Sequence, residues 1–220
     1  MTSEWWRVRP QVAFLAFAAS FAVFQHVPSV AGPAGDWIDL LTPFAVVGTG
    51  ALVLASLGTS PAAIVLALVA GVVYVDGHGI HLAANSIRNE EALSGTAADV
   101  AYFWDEQFGH IYWHAGWMLL LGAVVLGEAL AGAARGRPRS AWLASIAAVL
   151  LGATLFTSTV EGHTWWLALA ATPVFVVWAW RAPRPLVLTT AGAFALAAVC
   201  MGIWAVWHGG MPEFSELGWL

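Results

Sequence analysis

Apolar residues run in long, almost unbroken blocks, and short polar links separate them. The blocks cover approximately residues 11–31, 37–58, 61–86, 106–131, 140–159, 163–181 and 185–208. A stretch of about twenty apolar residues spans the hydrocarbon of a bilayer as a helix. Seven such blocks therefore predict an all-α, polytopic membrane protein, a seven-transmembrane-helix bundle forming one domain over residues 1–220. Pro10, Pro61, Pro138 and Pro185 stand at or near block starts, where a missing backbone donor costs little. Links such as AGPAGD and RGRPRS punctuate the blocks. Small residues recur inside them and permit close helix approach in lipid.

Composition sharpens this picture. The chain is 60% hydrophobic and 10% charged, against about a quarter charged in a soluble domain. Arg7 and Arg9, followed by an apolar run and the small residues Ser29, Val30 and Ala31, resemble a signal peptide; we read the segment as the first helix. All eight basic residues are arginine. With the N-terminus cytoplasmic and seven crossings, Arg7, Arg9, Arg135, Arg137, Arg139, Arg181 and Arg184 fall inside and only Arg88 outside. That is the positive-inside pattern, and it places the C-terminus extracytoplasmic. The expected location is an integral membrane protein of the prokaryotic plasma membrane. The fourteen tryptophans gather near the ends of the blocks, as interfacial belts do.

The same composition excludes several functions. A net charge of −5 without a basic patch argues against nucleic acid. Without lysine there is no Schiff base, hence no retinal-binding opsin. The single cysteine, Cys200, lies in an apolar run and can form no internal disulfide.

Orientation makes the histidines informative. His26, His78, His81, His110, His114, His163 and His208 all fall toward the extracytoplasmic end, together with Asp76, Asp105, Glu106 and Glu161. Ionisable groups at membrane depth are costly and mark sites. In WDEQFGHIYWHAGW, residues 104–117, Glu106, His110 and His114 stand four apart and share one helical stripe. Two imidazoles one turn apart can reach one metal ion, and Glu106 or Asp105 can act as ligand, base or orienting partner. In VDGHGIHLAANSIRNE, residues 75–90, His78, His81 and Asn85 share a face if the helix persists, whereas Gly77 and Gly79 offer a break. Glu161 and His163 of TVEGHTWW could close the pocket from above. The candidate metal ligands are thus His110 and His114 with His81 or His78. The candidate catalytic acids are Asp105, Glu106 and Asp76, and Asn85, Glu161 and His163 are secondary. Imidazole with carboxylate suits a divalent transition metal: zinc is favoured for hydrolysis, while iron or copper also fit. Below the cluster Trp117, Leu121, Val124 and Val125 offer no polar relay toward Glu128, the notable acid of the inner half.

These residues resemble, at the level of architecture, the CREST superfamily of seven-helix membrane metal-hydrolases, which includes alkaline ceramidases and adiponectin-receptor-like proteins. In that family three histidines, two of them in an HxxxH pair, hold zinc beside a serine and an aspartate. The resemblance implies His110 and His114 as the pair, His81 or His78 as the third ligand, and Asp105 or Asp76 as the acid. This chain departs in carrying the pair on the fourth helix rather than the last. It also lacks a serine four residues before a candidate histidine; Thr159 before His163 is the nearest substitute. HIYWHAGWMLLLG also resembles the HxxxH helix of rhomboid proteases, but no GxSG occurs here. The expected function is a metal-dependent hydrolase acting on a small hydrophobic or lipid-like substrate at the outer leaflet, with membrane lipid as its surroundings. The alternatives are a metal-ion or proton channel or carrier, and a redox subunit holding haem or copper.

Overall fold

The computed structural model describes residues 9–31, 34–58, 60–88, 94–131 and 140–219. Among them the secondary structure is helical: α1 (Pro10–Val30), α2 (Gly35–Leu57), α3 (Pro61–Arg88), α4 (Thr96–Leu130), α5 (Ala141–Glu161), α6 (Trp165–Arg181) and α7 (Pro185–His208). All but α6 are long and apolar enough to cross a membrane. The exception, α6, has 17 residues, about 26 Å at 1.5 Å per residue, slightly less than the roughly 30 Å hydrocarbon. Arg7 and the Arg135, Arg137 and Arg139 group lie outside the described residues.

Sequence punctuation accounts for many helix ends. Pro10 and Pro185 occupy the first turns of α1 and α7, where proline's fixed φ suits the helix. Gly58 and Gly209 end α2 and α7 in the left-handed conformation, at φ 67° and 69°, which glycine adopts without a Cβ penalty.

Two boundaries differ from the pattern of apolar blocks. Helix α3 runs unbroken to Arg88, so Gly77 and Gly79 do not interrupt it. Helix α4 begins at Thr96, ten residues before the apolar block. It continues through a π-helical turn at Phe103–Gly109 before the regular stretch His110–Leu130.

The helices pack chiefly as α3 on α4, α1 on α2, α5 on α7 and α6 on α7, with α1 against α5. A shared interior holds Phe14, Phe17, Phe21, Tyr74, Trp117 and Phe194, none more than 1% exposed. Phe21 stacks on Trp117 with ring centroids 3.4 Å apart and planes 5° off parallel. The outside is equally apolar: Phe44, Trp180, Trp207 and Val206 are 74–87% exposed. So much large apolar surface turned outward suits a lipid environment.

Glycine sets the α3–α4 distance. A Cβ on Gly77 would strike the backbone of Trp113, and one on Gly116 would strike the backbone of Tyr74. The two helices therefore touch main chain to main chain at reciprocal positions, the close approach that small residues allow in membranes. This contact brings the two histidine-bearing segments together.

Glu128 has a structural assignment. Its carboxylate accepts from the Leu186 N–H at 2.9 Å and the Val187 N–H at 3.1 Å, while Arg184 donates to the Glu128 carbonyl at 2.8 Å. The acid thus satisfies first-turn donors of α7 that have no partner within their own helix, across 58 residues of sequence. Glu128→Ala should leave two buried N–H groups unpaired and cost about 2–3 kcal/mol. Denaturant titration of the detergent-solubilised protein measures this, with Glu128→Gln losing less.

Candidate functional site

The π-helical turn of α4 carries both acids of the site. Such turns insert an extra residue into a helix and often occur at functional positions. Here Asp105, 1% exposed, faces α3: its Oδ1 lies 2.7 Å from His81 Nδ1, and its Oδ2 accepts from Arg88 at 3.2 Å. Glu106 pairs with Arg88 as well, and its Oε2 lies 3.2 Å from His110 Nδ1 one turn on. Arg88, the last residue of α3, thus clamps two adjacent carboxylates. Close approach helps again, because a Cβ on Gly109 would sit 3.1 Å from His81 Cα.

His110 and His114 follow on the regular part of α4. Their rings are parallel within 3°, with centroids 5.8 Å apart. The His81 ring from α3 lies 4.4 Å from that of His110. His114 Nδ1 stands 2.5 Å from the Thr164 hydroxyl, and Thr164 is 1% exposed at the start of α6. Gly162 lays the α5–α6 turn directly on this pair: a Cβ there would fall 2.9 Å from His114 Cε1 and 3.0 Å from His110 Cγ.

At the centre lies Trp113, 4% exposed. Its ring centroid is 4.9 Å from His78, 5.2 Å from His81, 6.0 Å from His110 and 5.1 Å from His114. The indole divides the four imidazoles. His81, His110 and His114 form one group, whereas His78 turns to Asp39 of α2, Nε2 to Oδ1 2.9 Å. Thr42 donates to the same Asp39 oxygen at 3.4 Å. His78 therefore joins α2 to α3.

The other candidates separate in the same way. Glu161 accepts from the Phe214 and Ser215 N–H groups at 2.8 and 3.3 Å and holds the C-terminal segment against α5. His163, at φ 51°, points outward to Glu213 at 2.9 Å. Burial pushes the Glu213 carboxyl above the ordinary glutamate value, against the pull of His163. Asn85 lines the cavity beside His81. Asp76 is exposed on another face of α3, outside the cavity. His26 of α1 reaches the cavity, with Nε2 3.3 Å from the Thr157 hydroxyl.

The cavity has a volume of ≈ 700 Å³, within the usual range of small-molecule sites. Its lining mixes polar groups, among them His81, His110, Glu106, Arg88 and Asp39, with the apolar Phe24, Trp113, Phe214 and Trp219. A ligand with a polar head and an apolar body fits such walls.

Among the described residues, no group of three or more His, Cys, Asp or Glu side chains stands ready to hold a metal ion. The cluster consists of imidazoles with oxygen neighbours. Each of His81, His110 and His114 presents Nδ1 to an oxygen, of Asp105, Glu106 and Thr164 respectively. Of the three contacts only that of His114 with Thr164 has hydrogen-bond geometry; the Nδ1 atoms of His81 and His110 lie within ion-pair distance of their carboxylates without a hydrogen bond. The other nitrogen of His114, Nε2, is buried without a hydrogen-bond partner. With Zn–N near 2.1 Å, two imidazoles on one tetrahedral zinc have centroids roughly 5 Å apart, close to the spacings here.

Asp39 and Thr164 did not stand out in the sequence. Asp39 sits in an apolar block far from any histidine in sequence, and only the α2–α3 packing brings it to His78. Thr164 had one local signal, a hydroxyl residue opening an apolar run beside His163. Comparison of the chain with protein-family models, curated proteins and solved structures finds no match.

Proposed function

We propose that this chain is a membrane-embedded metal-dependent hydrolase, acting on a lipid-like substrate at the outer leaflet. Its spans are seven, with the N-terminus cytoplasmic and the C-terminus extracytoplasmic. One observation supports the reading: three neighbouring imidazoles from α3 and α4 each have Nδ1 within 2.5–3.2 Å of an oxygen, and on this reading their Nε2 atoms are the ones that take the ion. Zinc, when bound, supplies a water whose pKa lies near neutrality. The chain's own residues do the rest. Asp105 and Glu106 orient His81 and His110. Arg88 holds both carboxylates in place through its ion pairs. Glu106 also lines the cavity, where its carboxylate can take a proton from a nucleophile approaching from the outer side. Phe24, Phe214 and Trp219 receive an acyl chain.

The dry interior favours an enzyme over a conduit. Trp117, Leu121, Val124 and Val125, between the site and Glu128, are all 0% exposed. Glu128 is itself committed to the start of α7. A carrier needs polar groups through to the other side, and this helix offers none in between.

The test begins with elemental analysis of protein purified in detergent, which should find about one zinc per chain. Hydrolysis of a long-chain fluorogenic amide or ester should then follow the metal, vanishing on chelation and returning with zinc. Iron or copper with a visible absorbance band would favour the redox alternative, and no metal at all would overturn the reading. Reporter fusions at the C-terminus should report an extracytoplasmic location; a cytoplasmic signal would refute the orientation.

A further inference from the structure

Three threonines in the second half of α5 return their hydroxyls to their own helix. Thr154 donates to the Leu150 carbonyl at 2.8 Å, Thr157 to that of Ala153 at 3.0 Å and Thr159 to that of Leu155 at 2.5 Å. This is how a hydroxyl in an apolar helix satisfies itself. Ser158, among them, does not. The carbonyl one turn back, that of Thr154, already receives the Thr157 hydroxyl at 3.3 Å. The Ser158 Oγ is buried with no hydrogen-bond partner among the described residues, and the residue, 4% exposed, lines the cavity.

A second such atom comes from α1. Gln25 also lines the cavity, and its Oε1 is buried without a hydrogen-bond partner among the described residues. Neighbouring contacts set both residues close to the histidine cluster. Gln25 follows Phe21, which stacks on Trp117, by one turn. Ser158 precedes Gly162, which lies against His110 and His114, by one turn. Beside them the His26 Nε2, 3.3 Å from the Thr157 hydroxyl, joins α1 to α5.

The charged side chains of the same lining already have partners. Asp39 pairs with His78, Arg88 with Asp105 and Glu106, and Glu213 with His163. Glu161 accepts from the Phe214 and Ser215 N–H groups. An ionic head group brought to the α1–α5 wall would lose its water and find no free counter-charge among these side chains. What the wall lacks is a donor for Gln25 Oε1 and a partner for Ser158 Oγ, which can donate or accept. A hydroxyl or an amide supplies both.

We propose that Gln25 and Ser158 form a head-group subsite that selects uncharged amphiphiles able to donate and accept hydrogen bonds, the apolar chain lying along Phe24, Phe214 and Trp219. This names a substrate class for the hydrolase reading and rests on it in taking the cavity as the substrate site.

The test measures binding to the full chain in detergent after chelator treatment, so that no metal-dependent turnover consumes the probe. The radiolabelled ethanolamide of dodecanoic acid should bind saturably, and unlabelled lipids compete at matched mole fraction. Dodecyl phosphate and dodecyltrimethylammonium should compete about tenfold less well or worse, since each carries an ionised group into a wall without a counter-charge. Methyl dodecanoate, which accepts but cannot donate, should fall about 3–10-fold behind the ethanolamide. Ser158→Ala and Gln25→Met should each weaken the ethanolamide about 3–10-fold, the loss of one neutral hydrogen bond. Gln25→Met should leave competition by methyl dodecanoate unchanged, and circular dichroism with thermal unfolding establishes that both variants fold. Charged lipids competing as well as the ethanolamide would overturn the proposal, as would binding indifferent to both substitutions or no saturable binding. This selectivity in a protein that holds no metal as purified and hydrolyses nothing would keep the subsite and remove the hydrolase reading. Zinc-dependent hydrolysis of charged and neutral lipids alike would do the reverse.

Discussion

Gly116→Ala should be among the most damaging methyl additions to this protein. The new Cβ would overlap the Tyr74 backbone, standing 2.6 Å from its Cα, and main chain, unlike a flexible side chain, cannot rotate away. Helices α3 and α4 must then part by on the order of 1 Å, or α4 must slide. Overpacking in a filled interior costs typically 1–3 kcal/mol and occasionally more; a clash with backbone belongs at the upper end, about 3 kcal/mol. Gly77→Ala should cost about as much, because its Cβ meets Trp113 in the reciprocal contact. Gly122→Ala on the same helix is the control: nothing lies within 4 Å of its Cβ position. There alanine should be neutral or stabilising by about 0.5–1 kcal/mol through helix propensity. Thermal unfolding in detergent measures all three. If Gly116→Ala unfolds no earlier than Gly122→Ala, α3 and α4 are not packed main chain to main chain. The consequence for the site follows from the same contact. His78 and His81 ride on α3 while His110 and His114 ride on α4, so a shift between the helices moves His81 away from His110.

The helices were legible because lipid imposes a simple code. A span must be long, apolar and helical to satisfy its own backbone, and the apolar blocks mark six helices long enough to cross with ends displaced by a few residues. The large displacement is at α4, where TAADVAYFW before Asp105 is too polar and too aromatic to extend an apolar block, yet forms helix and a π turn. Helix phase was legible from His110 to His114, four apart on regular α-helix. It was less so through the π turn, which changes the rotation per residue. Asp105 therefore meets His81 on α3, a partner that spacing along one helix cannot name. Long-range partners were hidden for the same reason. Asp39 to His78, Thr164 to His114 and Glu128 to the start of α7 join segments 39, 50 and 58 residues apart. Only the packing of helices creates such pairs. Asp76 shows the converse limit: a sequence records that an acid lies at membrane depth, but facing is a property of the bundle.

His81→Ala and His78→Ala should separate cleanly, although the two residues stand three apart on one helix. The spacing alone left either as the third metal ligand. The structure puts His81 with its ring 4.4 Å from His110 and its Nδ1 against Asp105, whereas His78 spends Nε2 on Asp39. On the metal-site reading, His81→Ala, His110→Ala and His114→Ala each remove a ligand, and zinc retained after dialysis should fall from about one per chain to near zero. His78→Ala should keep its zinc and instead lose stability, because Asp39 loses its partner between α2 and α3; leaving such a group unpaired costs about 1–3 kcal/mol. Asp105→Asn tests the layer behind the ligands. Asparagine keeps the size and one acceptor oxygen, but it weakens the hold on His81 and gives up the ion pair with Arg88. Loss of an orienting carboxylate typically lowers metal affinity 10–100-fold, so Asp105→Asn should bind zinc with full stoichiometry at saturating metal but weakly in competition with a chelator. Zinc titration against a fluorescent chelator, with circular dichroism to establish folding, reads every variant on one scale. Equal loss of zinc in His78→Ala and His81→Ala would place the ion on the Asp39 side of Trp113. Full retention in the folded His110→Ala, His114→Ala double variant would remove the metal from this cluster altogether.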